Sequence, residues 1–371
     1  MNKWSYFNPV KIQYSDDYTH SIAEYLRTFD KTPNTVLFCY NWFEKTGQFG
    51  RLISKINKPL VYSDIEENPS LSSCQRAINA IKSIDIDLII AIGGGSVIDT
   101  AKVVRASIYK DIFDVNELFE KVPVIKNIPE FIAIPTTHGT GSEVTMWATV
   151  WDKENKEKKS LSEIENYPTI ALYDVSLVKD LPVNISIITT LDALSHAFES
   201  IWNKNRNPIS TQFAIQAIKL IYENINKING DISKKTQKNL ITASMYAGLA
   251  FSNTKTAAAH SISYPLTLLY NIPHGIACSL PLQPLMQMNY LEVKDDIDTL
   301  LNFIEIKDYN LFWERIWNVS KKYIPYSLHE FNLDKSNLNL IVNESFTKGR
   351  IDNNITDLSK KDIHRILEVI F

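Results

Sequence analysis

Through about residue 178, short runs of apolar and β-branched residues alternate with stretches of helical periodicity, most of them bounded by turn residues. This alternation predicts a layered α/β domain. The expected strands are Lys11–Tyr14, Val36–Tyr40, Leu60–Tyr62, Leu88–Ile92, Phe131–Ile134 and Ile170–Tyr173. The run Leu88-Ile-Ile-Ala-Ile92 is apolar throughout, as a strand covered on both faces must be, which places it at the centre of a parallel sheet. Beyond Leu181-Pro182 the strand-like runs stop, and helical patterns follow over roughly 185–204, 208–227, 235–252 and 256–269, with several more to Phe371. The expected organisation is a parallel-sheet α/β domain over residues 1–180 followed by an all-helical domain over 181–371. The charged stretch 151–166 reads as a solvated hairpin or loop, and the C-terminal hundred residues carry no motif tied to chemistry.

Composition narrows the partners. A chain of 371 residues with 44% hydrophobic and 22% charged positions is long enough to fill two cores and has the make-up of a soluble globular protein. A formal net charge of −3 offers no general attraction to nucleic acid or an anionic membrane, so small molecules are the expected partners, with a homodimer left open. The opening MNKWSYFNPV lacks the apolar core of a signal peptide, and no run approaches the roughly eighteen apolar residues of a membrane span, so the expected location is cytoplasmic. Cys39, Cys74 and Cys278 show no CxxC spacing and are odd in number, which disfavours a disulfide framework and a structural zinc site. They read as buried thiols, although Cys278, four residues past His274, is close enough for ligation to be considered.

Two stretches of the first domain suit a nucleotide. The central strand runs into Gly93-Gly94-Gly95-Ser96 and then a helix, VIDTAKVVRAS. Backbone without Cβ atoms can approach a pyrophosphate closely, and the N–H groups and dipole at a helix start favour its charge. The spaced GxGxxG fingerprint is absent, so a simple tight turn is the alternative. The strand ending at Ile134 leads into PTTHGTGSE, a loop rich in hydroxyls and glycines but poor in charge, able to line a nucleotide.

In the second domain Asp192 and His196 stand four apart in LDALSHAFES and share one helix face. His260 follows inside a helical run and His274 beside Pro273 and Gly275 at a turn, so three of the seven histidines fall in this region. One carboxylate and three imidazoles suit iron, zinc, nickel or manganese, and supply too few hard oxygens for calcium.

These motifs together resemble the iron-containing (group III) alcohol dehydrogenases, whose fold is dehydroquinate-synthase-like. GGGSVIDTAK and IPTTHGTGSEVT look like that family's two cofactor motifs, and the Asp-x-x-x-His pair with two later histidines fourteen apart looks like its metal site. The resemblance implies Asp192, His196, His260 and His274 as ligands to a divalent metal, Fe2+ expected and Zn2+ or Ni2+ as alternatives. It implies Gly93, Gly94, Gly95, Ser96, Asp99, Thr136, Thr137 and Ser142 as contacts of NAD(H) or NADP(H), with Lys159 matching a lysine near the cofactor. The implied activity is transfer of hydride between a nicotinamide and a small aldehyde or alcohol held by a Lewis-acidic metal.

Three positions depart from the family pattern. His138 stands where alanine is usual. Tyr264 replaces a histidine close to the substrate and can donate a hydrogen bond there without serving as a base near neutral pH. Tyr40-Asn41 offers no carboxylate where many relatives bind the adenosine ribose, so NADPH is expected to be accepted at least as well as NADH. The segments VTMWATVWD, HAFESIWNKNRNPIS and TKTAAAHSISYPLT look most like phosphonoacetaldehyde reductases, a branch of the family in phosphonate biosynthesis. A phosphonate calls for a cation near the metal. Lys255, five residues before His260, is the candidate provided that a loop or bend separates them, whereas Lys204 and Arg206 lie too far along a continuing helix. Rival readings are a general short-chain alcohol dehydrogenase, a dehydroquinate-synthase-like lyase, against which Asp192 with three histidines speaks, and a non-catalytic nucleotide-binding protein.

Overall fold

The computed structural model describes residues 3–120, 125, 127–155 and 157–371. Two compact units emerge, one of Asn8–Thr137 with Ser142–Val178, the other of Lys179–Phe371 with His138–Gly141 and the residues through Phe7. The main division falls between Val178 and Lys179, but His138–Gly141 groups with the helical unit although its neighbours in sequence belong to the other.

The first unit contains β1 (Lys11–Tyr14), α1 (Tyr18–Leu26), β2 (Thr35–Cys39), α2 (Gly47–Ile53), β3 (Leu60–Tyr62), α3 (Leu71–Ile81), β4 (Leu88–Gly93), α4 (Gly95–Lys110), β5 (Glu130–Pro135), β6 (Ala148–Asp152), β7 (Glu157–Leu161) and β8 (Ile170–Tyr173). Six strands form a parallel sheet in the order β1-β8-β5-β4-β2-β3. Strand β4 is buried along its whole length between β5 and β2. Its side chains divide by period two: Leu88, Ile90 and Ile92 join a core with Tyr18, Leu37 and Ile134, while Ile89 and Ala91 join another with Phe38, Ile98 and Phe131. Both faces being covered, no polar position is tolerated there. Strands β6 and β7 form an antiparallel hairpin that begins before the charged stretch 151–166 and is not simply solvated: Val150, opposite Lys159, and Leu161 are buried in the core beside α4.

The second unit is built from α5 (Val183–Ile201), α6 (Pro208–Asn224), α7 (Lys234–Thr254), α8 (Ala258–Tyr270), α9 (His274–Ser279), α10 (Leu282–Asn289), α11 (Lys294–Phe303), α12 (Tyr309–Tyr323), α13 (Leu338–Glu344) and α14 (Lys360–Val369). Helix α5 is buried continuously from Thr190 to Ile201, so it is the central helix. Its Leu194, Phe198 and Trp202 just beyond it share a core with Ile218 of α6, Leu240 of α7, Ile262 of α8 and Trp313 of α12. Among the described residues no helix is long and apolar enough to cross a membrane.

Candidate functional site

A helix buried on all sides can carry polar groups only where they satisfy one another, and α5 presents Asp192, His196 and Glu199 at positions i, i+4 and i+7, all buried. Opposite them, α7 ends at Thr254 and the chain breaks its helical path at Lys255, which adopts a left-handed φ of 67°. The bend lets α8 start afresh at Ala258 with His260 in its first turn. Helix α8 closes on Asn271 in the left-handed region, and Pro273 then leads into α9, which opens on His274. Gly275 makes the seating of α9 on α5 possible: a Cβ there would stand 2.0 Å from the Ile188 carbonyl oxygen, a contact that only glycine avoids.

These elements gather one donor atom each from Asp192, His260, His274 and Cys278 to within 4.8 Å of one another. His260 Nε2 lies 3.8 Å, His274 Nε2 4.0 Å and Cys278 Sγ 3.5 Å from Asp192 Oδ1. His196 lies at the edge of this set, its Nδ1 3.9 Å from Asp192 Oδ1 and its ring stacked between Phe251 at 4.1 Å and His260 at 4.6 Å. Three of the four expected ligands thus converge tightly with the sulfur of Cys278 among them.

Glu199, which sequence reasoning missed, orients His260. Its carboxylate accepts from the His260 backbone N–H at 3.1 Å and from Nδ1 at 2.6 Å. A carboxylate can only accept, so Nδ1 carries a proton and Nε2 is the nitrogen turned toward Asp192, the one from which an incoming cation would displace any second proton. That Nε2 is buried and has no hydrogen-bond partner among the described residues. An orphaned imidazole nitrogen facing a buried carboxylate and a second imidazole fits a divalent transition metal. Burial pushes the His260 imidazole down, but the charge and hydrogen bond of Glu199 together with the facing Asp192 outweigh it and raise the group to about 9. Burial likewise works against ionised Asp192, yet the imidazoles of His196, His260 and His274 hold it well below the usual carboxylate range. Burial and the neighbouring Asp192 charge push the Cys278 thiol well up, so its sulfur stays protonated until a cation displaces the proton. The signal for Glu199 was its place seven residues past Asp192 on the same helix face.

The dinucleotide motifs of the α/β unit meet each other. Gly93 ends β4, and a Cβ on it would strike Val97 Cγ2 at 2.3 Å, so the tight return into α4 requires its hydrogen. Helix α4 has Gly94 as its N-cap and no side-chain cap, which leaves its first amides to backbone, solvent or an anion. Thr136 N donates to Gly93 O at 3.0 Å, and Thr137 lies against Gly94. Asp99 is half-buried, accepting from Ser142 Oγ at 2.5 Å and Thr149 N at 2.9 Å. Lys102, also missed, donates to the carbonyls of Ser142, Thr145 and Trp147 at 2.6–2.7 Å, and burial lowers it to about 8 against the pull of Asp99. The Asp99–Lys102 pair therefore anchors the Ser142–Thr149 loop. His138 is buried in the helical unit with Nε2 3.0 Å from Ser186 Oγ, and burial pushes it down to about 4, so it is neutral.

The remaining candidates are dispersed. Tyr40 lies near Ser96 at the start of α4 and stacks on Trp42. Lys159 pairs with Asp152 across the hairpin at 3.5 Å. Lys255 is exposed at the bend the sequence argument required, while Arg206 and Lys204 are engaged by Asp296 and Asp357. Tyr264, buried one turn beyond His260, bonds Arg350.

Comparison with known proteins agrees with this architecture. The profile described as "Iron-containing alcohol dehydrogenase" matches residues 9–175, and that for the C-terminal part of the Fe-containing alcohol dehydrogenase family matches residues 186–371. A 4-hydroxybutyrate dehydrogenase of Clostridium kluyveri is 38% identical over 213 residues, 56% of each chain. An aldehyde-alcohol dehydrogenase of Streptococcus pneumoniae is 31% identical over 58% of this chain and 26% of its own, so the match spans only a half to a quarter of these relatives. An NADPH-dependent butanol dehydrogenase of Clostridium saccharobutylicum is 28% identical over 83% of this chain and 82% of its own. In fold, the NAD+ complex of a sulfoacetaldehyde reductase from Bifidobacterium kashiwanohense superposes with a TM-score of 0.90 at 24% identity, covering 100% of this chain and 99% of the other. With both halves matched in order, the chain belongs to the iron-containing alcohol dehydrogenase family.

Proposed function

We propose that the protein reduces a small aldehyde to the primary alcohol at a divalent metal with NADH or NADPH, and that its substrate is phosphonoacetaldehyde, giving 2-hydroxyethylphosphonate. The observation that carries the reductase reading is His260 Nε2, buried, without a hydrogen-bond partner among the described residues and aimed at Asp192 by Glu199. A metal there supplies Lewis acidity to a carbonyl oxygen, and the nicotinamide supplies the hydride. Asp192, His196, His260 and His274 hold the ion, with Cys278 a further donor in reach. Glu199 keeps the His260 proton on Nδ1, away from the ion. The start of α4 and the Thr136–Thr137 loop take the pyrophosphate, with Asp99 and Lys102 acting through the loop that carries Ser142. Tyr40 carries no negative charge to repel a 2′-phosphate.

For the substrate, the support is the resemblance in the motif-flanking segments, together with Lys255 at a bend five residues before His260. The 4-hydroxybutyrate dehydrogenase relative is named for an anionic hydroxy acid, which suits an anionic tail. The second reading, a general short-chain alcohol dehydrogenase, is favoured by the butanol dehydrogenase relative that spans 83% of the chain. Metal analysis of the purified protein combined with kinetics on phosphonoacetaldehyde, propanal and butanal with each cofactor separates them. Preference for phosphonoacetaldehyde with a KM raised by Lys255→Met supports the first. Equal reduction of propanal or butanal selects the second, and cofactor binding without turnover of any aldehyde overturns both.

A further inference from the structure

The segment after α13 crosses α8 as a tethered strap. Ser261 Oγ donates to Ser345 O at 2.6 Å, and Thr347 N donates back to Ser261 Oγ at 3.2 Å. Asn353 Nδ2 donates to Thr256 O and to Gly349 O, both at 2.9 Å, while Asn353 O accepts from Lys204 N at 2.8 Å. The buried amides of Asn354 and Asn289 donate to each other at 2.9 and 3.1 Å. A segment bonded at so many points along its length holds its side chains in fixed positions.

Within the strap, Gly349 turns the chain with a φ of 75°, its N–H donating to Asp352 Oδ2 at 3.0 Å. The turn delivers half-buried Arg350 onto Tyr264: Nε donates to the phenol oxygen at 3.2 Å, and Nη1 to Gly349 O at 2.9 Å. Tyr264 follows His260 by four residues, hence about 6 Å along the axis and on the same face. The guanidinium is therefore fixed one helical turn and one phenol ring from a metal-donor atom. Through Asn353 and Thr256 the strap is tied to the residue after Lys255, so two cations stand on neighbouring, bonded segments. Guanidinium cannot be deprotonated and matches a tetrahedral or carboxylate oxyanion with paired N–H donors.

We infer that Arg350, held by Tyr264, forms the subsite for the anionic tail of the aldehyde and so selects phosphonate- or carboxylate-bearing substrates. This rests on the reading that an anionic aldehyde is reduced at the Asp192–His260–His274 site. Arg350 is a specificity-determining residue and Tyr264 a positioning one.

The test uses the metal- and cofactor-loaded enzyme with Arg350→Met, Arg350→Lys and Tyr264→Phe. Ethylphosphonate, which has no aldehyde, is titrated as an inhibitor of butanal reduction, and kcat/KM is measured for phosphonoacetaldehyde, succinic semialdehyde and butanal. Arg350→Met is expected to weaken ethylphosphonate inhibition at least tenfold and to lower the phosphonoacetaldehyde-to-butanal ratio of kcat/KM at least 50-fold, through KM rather than kcat. Arg350→Lys, keeping charge but not the fork, should fall between, and it decides the matter by the same inhibition constant if Arg350→Met does not fold. An unchanged inhibition constant, a wild-type enzyme insensitive to ethylphosphonate, or a parallel fall for all three aldehydes overturns the inference, the last because it marks Arg350 as a clamp for the strap. Loss of the succinic semialdehyde rate alone would assign the subsite to carboxylates. If wild type reduces butanal as well as phosphonoacetaldehyde, the phosphonate reading fails, while ethylphosphonate inhibition still decides Arg350 independently.

Discussion

Glutamine at position 199 separates the charge of Glu199 from its shape. In the native site two acceptors face two donors, Oε1 taking the His260 backbone N–H at 3.1 Å and Oε2 taking Nδ1–H at 2.6 Å. An amide has one acceptor and one NH2. The backbone N–H cannot change its role, so it claims the glutamine oxygen and the NH2 is turned to Nδ1. That nitrogen must then accept, which moves the ring proton to Nε2, the atom 3.8 Å from Asp192. Binding a metal at Nε2 would force the proton back against the amide NH2 and leave the variant without the buried Nδ1–H bond to a carboxylate that wild type keeps, worth about 1.5–3 kcal/mol. The expected result for Glu199→Gln is a roughly 10- to 100-fold weaker Kd for Zn2+, measured by chelator competition at neutral pH with folding checked by circular dichroism. Glu199→Ala, which leaves Nδ1–H unpaired without imposing the wrong tautomer, is expected to be no weaker than Glu199→Gln. A folded Glu199→Gln protein that binds Zn2+ as tightly as wild type would refute the tautomer argument.

Three further outcomes are expected. His138 is held near 4 in the folded state against an unfolded value of 6.5, so the unfolded chain binds more protons between those values and stability falls as pH drops through that window; between pH 7 and pH 5 this amounts to roughly 2 kcal/mol. Urea unfolding of His138→Ala should show a shallower loss over the same range, and an identical pH slope would remove His138 from the account. Gly275→Ala must move α9 off the Ile188 carbonyl, so a loss of about 1–3 kcal/mol in stability together with reduced metal content by elemental analysis is expected; normal metal content with unchanged Tm would contradict the close seating. Tyr40→Asp should penalise NADPH relative to NADH in direct cofactor binding, and an equal effect on both would take Tyr40 away from the ribose.

Much of this was written locally in the chain. Strand β4 was legible because a doubly covered strand tolerates no polar residue, and its limits shifted by one position only, to Gly93. Asp192 and His196 were legible as a pair because four residues return a helix to the same face, and the same rule extended to Glu199, whose partner stands 61 residues away. What periodicity could not supply was convergence between elements. That α9 seats on α5 through Gly275, that Cys278 rather than His196 falls within the tightest donor set, and that His138 leaves its motif to join the helical unit are results of packing, decided by which side chains fit and which polar groups needed partners once buried. Lys255 illustrates the boundary: the sequence stated the condition, a bend before His260, and only the folded chain met it with a left-handed residue. Arg350 lies beyond that boundary altogether, since nothing near it in sequence announces a partner 86 residues away on α8. Local patterns record the period of a single element, whereas a site assembled from four segments depends on loop closures whose geometry is set by the whole core.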